Sequence, residues 1–266
     1  MSQSHTKNVE KKGMTWEKDF QCNHCGRTEK QEYLLDEEKK FFDQPLRLVK
    51  CTNCALVFQD PRPAFQPLIQ LIKTRGEVNK QLFFRKKNRK NVNRIHKNII
   101  LKALKHYQGE SEQLRLFDVG FGAGTVMEEA QKLGIVPSGN EINPYSIEQM
   151  QEKGFDVYAE PTIKLSIKKT FHIITCLDYI EHTYTPAEDL KWMYDHLVEK
   201  GIIYLKTLYI GCPNHQKQGD KWILFDPFHY YYYYPDVLLE MMEKHFSIID
   251  FWLTKAIIHI IAKKDK

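Results

Sequence analysis

Three groups of residues in this chain have types and spacings that can do chemistry. The first is cysteine. Four of the six form two pairs, Cys22-x-x-Cys25 and Cys51-x-x-Cys54. A CxxC turn aims two thiolates at one point, and two such turns complete a tetrahedron, so Cys22, Cys25, Cys51 and Cys54 are expected to ligate one zinc ion. Four thiolates leave no open coordination position, which makes the site structural rather than catalytic. A redox dithiol would need only one pair, and disulfides are not expected in a reducing compartment. Cys176 and Cys212 stand alone, the latter in a stretch that could border an active site.

The second group is a glycine-rich loop, Asp118-Val119-Gly120-Phe121-Gly122-Ala123-Gly124, between an apolar run ending at Gly120 and a helical pattern over 125–133. Gly120 permits a tight turn, Gly122 lets a ligand approach the backbone, and Gly124 allows close helix packing. Free N–H groups at the helix start favour a negative group. The third glycine comes one residue earlier than a dinucleotide fingerprint requires, with Thr125 in its place. Glu141 follows 21 residues after Gly120, at the end of a strand expected over 136–142. Its carboxylate can accept from both hydroxyls of a ribose.

The third group is acidic and imidazole side chains after the next apolar run, Phe171 to Leu177. Asp178-Tyr179-Ile180-Glu181-His182 places His182 as the first candidate for a base or polar positioner, with Glu181 to orient it. His229, in Asp226-Pro227-Phe228-His229-Tyr230, is the second candidate, and His215 a weaker third. Tyr230 to Tyr234, if extended, alternate between two faces. One set is expected in the core and the other at a pocket or lid, with Trp222 covering the substrate. His172 is read as a strand-end residue. Histidines such as His24, His96 and His259 belong to no motif.

These groups need elements to hold them. Strands are expected over 114–120, 136–142, 155–158, 171–177, 201–207, 247–253 and 256–262, with helices over 125–133, 144–153, 186–197 and 236–244. That alternation is an α/β fold with a largely parallel sheet. Four segments follow: a flexible N-terminus over 1–18, a zinc ribbon over 19–63, a basic helical connector over 64–108 and a catalytic domain over 109–266. The connector reads as helical from Phe65 to Tyr107, with a break near Gly76. From Lys73 to His106 it carries 12 Lys/Arg and one acid, although the whole chain is only +5. Its apolar positions recur at helical spacing, so the basic residues form an outer face. Contact with an anionic substrate or RNA is the alternative.

Composition excludes other classes. With 266 residues, 42% hydrophobic and 27% charged, the chain can bury a core and is neither disordered nor low-complexity. No apolar run reaches the roughly 18 residues of a membrane span, and the polar N-terminus has no secretory signature, so a cytoplasmic protein is expected.

Taken together, the D-x-G-x-G-x-G loop, Glu141, and the Glu181-His182 pair followed by a proline, a helix and a strand resemble the class I S-adenosylmethionine-dependent methyltransferases. The resemblance implies a seven-stranded Rossmann-like sheet whose last strand is antiparallel. It implies S-adenosylmethionine bound by Asp118, Gly120, Gly122, Gly124, Glu141 and Asp178, and catalysis by His182, Glu181 and His229. His172 stands where the family usually has Asp. In ubiquinone-type O-methyltransferases the position of Glu181 helps bind a divalent ion. The segment Cys51-x-x-Cys54-x-Leu-Val-Phe-x-Asp-Pro-Arg-Pro resembles the branch that includes bacterial sugar C-methyltransferases, which implies a small polar acceptor such as a sugar nucleotide or a glycan or natural-product precursor. Ala55 stands where that branch has Gly, and one methyltransferase domain is expected here, without the further C-terminal domain of the sugar enzymes. The rivals are an RNA methyltransferase gripping phosphates through ribbon and connector, and a binding protein that kept the fold without the activity.

Overall fold

The computed structural model describes residues 14–41, 44–78, 89–109 and 111–265. Its centre is a seven-stranded sheet built from β6 (Arg115–Val119), β7 (Val136–Asn140), β8 (Asp156–Tyr158), β9 (Phe171–Leu177), β10 (Leu197–Leu208), β12 (Ser247–Leu253) and β13 (Ile257–Lys263). The spatial order is β12-β13-β10-β9-β6-β7-β8. The five strands from β10 to β8 run parallel, while β13 pairs antiparallel with β10 and β12. Helices cover both faces, so the central strands are apolar throughout rather than alternating. The first six residues of β9 are all buried.

One face packs on α2 (Arg89–His106) and α3 (Thr125–Lys132), where Ile99, Ile100, Ala103 and Val126 meet Leu116, Ile173, Ile202 and Tyr204. The other face joins a larger core with α5 (Pro186–His196) and α7 (Pro235–Glu243), through Trp192, Met193, Leu238 and Met242. Helix α4 (Pro144–Glu152) is capped by Asn143, whose side chain accepts from the backbone of Tyr145 and Ser146, with Pro144 in the first turn. From β6 the chain goes outward to β7 and β8 on one side, and from β9 to β10 on the other. The crevice at the carboxyl ends of β6 and β9 is therefore the topological switch point, where open α/β sheets bind ligands.

The N-terminal part is a hairpin of β2 (Lys30–Phe41) and β3 (Gln44–Cys51), continued by β4 (Val57–Gln59). The fourth strand of this sheet comes from far along the chain: β11 (Tyr231–Tyr232) pairs with β4 through Tyr231 opposite Phe58 and Tyr232 opposite Val57. The Gln59 N–H donates to the Tyr230 carbonyl at 2.8 Å. A ribbon bounded at residue 63 therefore gives way to a sheet shared with the catalytic domain. Tyr230 to Tyr233 are all buried, so the tyrosine tract is a strand between two cores rather than a lid.

The segment boundaries differ from expectation in two further places. Trp16–Glu17 (β1) pairs antiparallel with Arg62–Pro63 (β5), so the end of the expected flexible N-terminus is a strand; residues 1–13 lie outside the described residues. Gly76 lies inside helix α1 (Phe65–Val78) rather than at a break. The cationic middle of the connector, 79–88, lies outside the described residues. Among the described residues no helix is long and apolar enough to cross a membrane.

Candidate active site

At the switch point lies a cavity of about 280 Å³. Its lining comes from the glycine loop (Gly120), from the end of β7 and the start of α4 (Asn140 to Asn143), and from the segment after β9 (Asp178, Tyr179, His182 to Tyr184). Pro161, Phe228 and Tyr230 add to the wall, and α1 contributes Phe65, Leu68, Ile69 and Ile72. The connector, read as a basic outer face, thus presents an apolar stripe to the site. Its described basic residues are partly spent inside the fold: Arg89 bridges to Glu128 at 2.7 Å, and the Lys102 ammonium stands 3.8 Å above the Trp252 ring.

One end of the cavity is built for a polar, hydroxyl-bearing ligand. Gly120, Gly122 and Gly124 all have positive φ (64°, 52° and 70°), which glycine tolerates without strain. They differ in what a side chain would meet. A Cβ on Gly120 would lie 2.5 Å from the Tyr179 ring and one on Gly124 2.2 Å from the Met150 sulfur, whereas one on Gly122 would come no nearer than 4.0 Å, to the Gly120 carbonyl oxygen. Gly122 and Gly124 do not line the cavity among the residues that do; their backbone shapes the turn. Glu141 is anchored by three backbone donors: Ile142 and Asn143 N–H to Oε1 (2.6 and 3.0 Å), and Gly122 N–H to Oε2 (3.0 Å). A carboxylate has about four lone-pair sites, so one remains for a ribose hydroxyl, and a second needs the Gly122 N–H released. The carboxylate, the room beside Gly122 and the flanking apolar wall of α1 fit an adenosyl group.

Asp118 is buried at the end of β6 and does not reach the cavity. It accepts from the Thr175 hydroxyl at 2.7 Å, and burial raises its pKa to about 7. Asp178 does line the cavity. Its backbone is left-handed, at φ 51°, and its carboxylate is paired with Lys206 at 2.5 Å. Sequence reasoning missed Lys206, Asn140, the α1 residues and His96. Asn140 donates to the Glu160 carbonyl and the Thr162 hydroxyl and so ties the loop after β8 to the site. The His96 Nδ1 lies 2.6 Å from the hydroxyl of Thr125, the first residue of α3. None of these carries a local motif; only the helical spacing of Leu68 and Ile72 was visible.

At the other end, His182 lines the cavity and Nδ1 donates to the Phe228 carbonyl at 2.8 Å. A carbonyl can only accept, so the ring is held as the Nδ1–H tautomer and Nε2 keeps its lone pair. Desolvation lowers the His182 pKa, which keeps the ring neutral at pH 7. His229 stands beside it, ring centroids 4.6 Å apart, with Nδ1 donating to the Leu224 carbonyl; it does not line the cavity. Glu181 is buried behind them, accepts from Thr207 at 2.7 Å, and has its pKa raised to about 7 by burial and the nearby Asp178. Ligand atoms of Glu181, His182 and His229 all lie within 4.8 Å of one another, close enough to share an ion. The remaining candidates lie elsewhere. His215 accepts from the Gly211 N–H and packs on Trp222, which is buried rather than over the substrate. Cys212 is buried and caps α6 (Pro213–Gln218).

The four paired cysteines do converge. Cys22 Sγ is 3.4 Å from Cys54 Sγ and Cys25 Sγ 3.5 Å from Cys51 Sγ, and all four ligand atoms lie within 4.8 Å. Sulfurs around tetrahedral zinc, with Zn–S about 2.3 Å, are separated by about 3.8 Å, so this cluster fits one ion after small outward shifts. Each pair makes the same turn: Gly26 N–H returns to the Cys22 carbonyl and Ala55 N–H to the Cys51 carbonyl, with φ of 73° and 64° at the returning residue. Burial raises the Cys22 and Cys54 thiols, so two thiolates held here without a cation would be costly.

Comparison with known proteins agrees with this geometry. Residues 78–245 match the family described as a methyltransferase domain. The chain belongs to that family and is an S-adenosylmethionine-dependent methyltransferase. Among solved structures it is similar to the 1,6-didemethyltoxoflavin-N1-methyltransferase of Burkholderia thailandensis, solved with 1,6-didemethyltoxoflavin and S-adenosylhomocysteine. The identity is 14% and the TM-score 0.57, over 89% of this chain and 100% of that one. It is also similar to the N-methyltransferase NodS of Bradyrhizobium japonicum WM9 in complex with S-adenosylhomocysteine (9%, TM-score 0.53, 73% and 99%) and to the [4+2]-cyclase SpnF (13%, TM-score 0.53, 65% and 80%). No curated protein matches significantly. At these identities the likeness establishes the shared fold, and the chemistry must be argued from the site.

Proposed function

We propose that this methyltransferase binds the adenosyl end of S-adenosylmethionine between Glu141, the glycine loop and α1, and transfers its methyl group to a small acceptor held beside His182. The cofactor supplies an activated methyl group on a sulfonium; the chain's work is alignment and removal of the acceptor's proton. The observation that carries this reading is that one cavity joins Gly120 and Glu141 to the free Nε2 of His182. His182 is the base, His229 and Glu181 are its positioning residues, and Asp178 lies between the two ends. The four cysteines hold one zinc ion that closes the N-terminal turns. Two structural neighbours are N-methyltransferases, one of them bound to 1,6-didemethyltoxoflavin, which supports a small-molecule acceptor over RNA. Of the acceptors proposed above, an unphosphorylated glycan or natural-product precursor fits this cavity better than a sugar nucleotide, whose diphosphate finds no Lys or Arg among the described lining residues.

Calorimetric titration of S-adenosylhomocysteine tests the reading directly. Binding is expected with the native chain and about tenfold weaker binding with Glu141→Ala, the loss of one charge-assisted hydrogen bond. Well-folded, zinc-loaded protein that fails to bind would refute the cofactor site.

A further inference from the structure

The acceptor end of the cavity has a chemical character of its own. Four aromatic rings wall it. Phe65 and Tyr184 meet edge to face at 5.2 Å, Tyr184 and Tyr230 at 4.8 Å, and Phe228 closes the far side, held by Phe41 at 4.9 Å. The hydroxyl protons on this wall are already used: Tyr184 donates to the Pro63 carbonyl, Tyr230 to the Tyr184 hydroxyl, Thr183 to Asp189, and Tyr179 to Asp189. Among the described side chains at this end, His182 has its Nδ1 bonded to the Phe228 carbonyl, which leaves Nε2 as an acceptor.

The charges point the same way. The charged side chains that line the cavity are both carboxylates, Glu141 and Asp178. Arg62, behind Tyr184, is buried and spoken for: its guanidinium lies 4.2 Å above the Tyr184 ring, donates to the Tyr184 carbonyl and the Tyr231 hydroxyl, and pairs with Glu17. Lys164, whose ammonium lies 5.3 Å from the Phe65 ring centroid, is exposed and is not among the described residues that line the cavity. A phosphate or carboxylate placed here would find no cation among the described lining residues, with Lys206 already paired with Asp178, and would face a lone pair.

From these surroundings, and resting on the function proposed above, we infer that the methyl acceptor is an uncharged, planar aromatic or heteroaromatic compound that presents an O–H or N–H to His182. The rings stack against its faces. In the transfer step the acceptor's oxygen or nitrogen forms the new bond to the methyl carbon as the carbon–sulfur bond breaks. The electron pair of that bond stays on sulfur, leaving S-adenosylhomocysteine as a neutral thioether. The acceptor's proton passes to His182 Nε2, so the positive charge moves from sulfonium to imidazolium and the balance closes without a further reactant.

A matched set of probes tests the inference on the full, zinc-loaded chain saturated with S-adenosylhomocysteine: 2-naphthol, its phosphate monoester, decahydro-2-naphthol and uridine diphosphate glucose, each titrated by calorimetry. 2-Naphthol is expected to bind with Kd below about 100 µM, a modest efficiency for an enclosed ligand of its size. The phosphate and the nucleotide sugar should bind at least about tenfold more weakly, reflecting an uncompensated buried anion. The saturated analogue has the same hydroxyl without the planar ring and should lose about fivefold, as should 2-naphthol on the Phe65→Leu chain. A cooperative denaturant melt of the Phe65→Leu chain, with a midpoint near that of the native chain, is the control for folding. Equal or tighter binding of either anion, equal binding of the saturated analogue, or no 2-naphthol binding while S-adenosylhomocysteine binds would each overturn the inference. Absence of S-adenosylhomocysteine binding would instead overturn the proposed function.

Discussion

At the residue scale, glycines that look alike in the sequence do different work. Gly124 is a packing requirement, because a Cβ there would press on the Met150 sulfur as well as strain the backbone. Gly124→Ala should lose about 2–4 kcal/mol of stability, overpacking added to a left-handed alanine. A Cβ on Gly122 would meet nothing nearer than 4.0 Å, so Gly122→Ala should lose only about 1 kcal/mol of stability, yet weaken S-adenosylhomocysteine binding by filling the approach to the backbone. Denaturant melts and calorimetry on the pair separate the two roles; equal stability losses would refute the distinction. Ala55 runs the opposite way. It holds φ 64° where Gly26 holds 73° in the sister turn, so Ala55→Gly should raise stability by about 0.5–1 kcal/mol, a gain readable as a higher Tm. His182 is exposed and lines the cavity, and desolvation by its surroundings lowers its pKa from the ordinary histidine value, so the base is unprotonated at neutral pH. The rate of methyl transfer should fall on the acid side, below the ordinary histidine range, and His182→Asn should remove that limb and about 10²-fold or more of kcat.

At the element scale, the short strand β11 links two sites that are far apart in sequence. Its partner β4 follows directly on the second cysteine pair, with Cys51 N–H bonded to the Leu56 carbonyl, while Tyr230, the residue before β11, lines the acceptor end. Removing the proposed zinc with a chelator should therefore loosen the acceptor wall more than the adenosyl end. Hydrogen exchange should rise at residues 57–59 and 230–232, with S-adenosylhomocysteine affinity changed less than about twofold. Uniform exchange across the chain after metal loss would argue instead for global destabilisation. Helix α1 teaches a related lesson. The spacing of Leu68, Leu71 and Ile72 announced a buried helix face, but nothing local said that this face would roof the cavity and pack on α4.

At the scale of the whole molecule, three carboxyls are buried with raised pKa values. Asp118, Glu181 and Asp189 each reach about 7, chiefly through desolvation. An acid whose folded pKa exceeds its unfolded value holds its proton longer in the folded state, so folding is favoured at low pH and loses free energy as pH rises towards the folded pKa. Across pH 6 to 8 the folded chain should lose about 1 kcal/mol per group, with denaturant melts as the measurement. Asp118→Asn keeps an acceptor for Thr175 and should flatten that slope; a slope as steep as the wild type would sink the assignment.

The chain's own order determined a good deal. The alternating apolar runs and helical patterns marked the strands and helices of the sheet to within a few residues, because both-face burial makes parallel strands continuously apolar. The glycine loop, Glu141 and the paired cysteines were legible because each rests on short-range geometry: a turn, a strand end, a knuckle. What only the tertiary structure decided are the contacts between distant segments. It placed β11 beside β4, laid α1 over the cavity, paired Lys206 with Asp178 and left His182 rather than His229 facing the cavity. Those outcomes depend on how layers pack, since the same apolar periodicity serves equally to bury a helix on a sheet or to close a site.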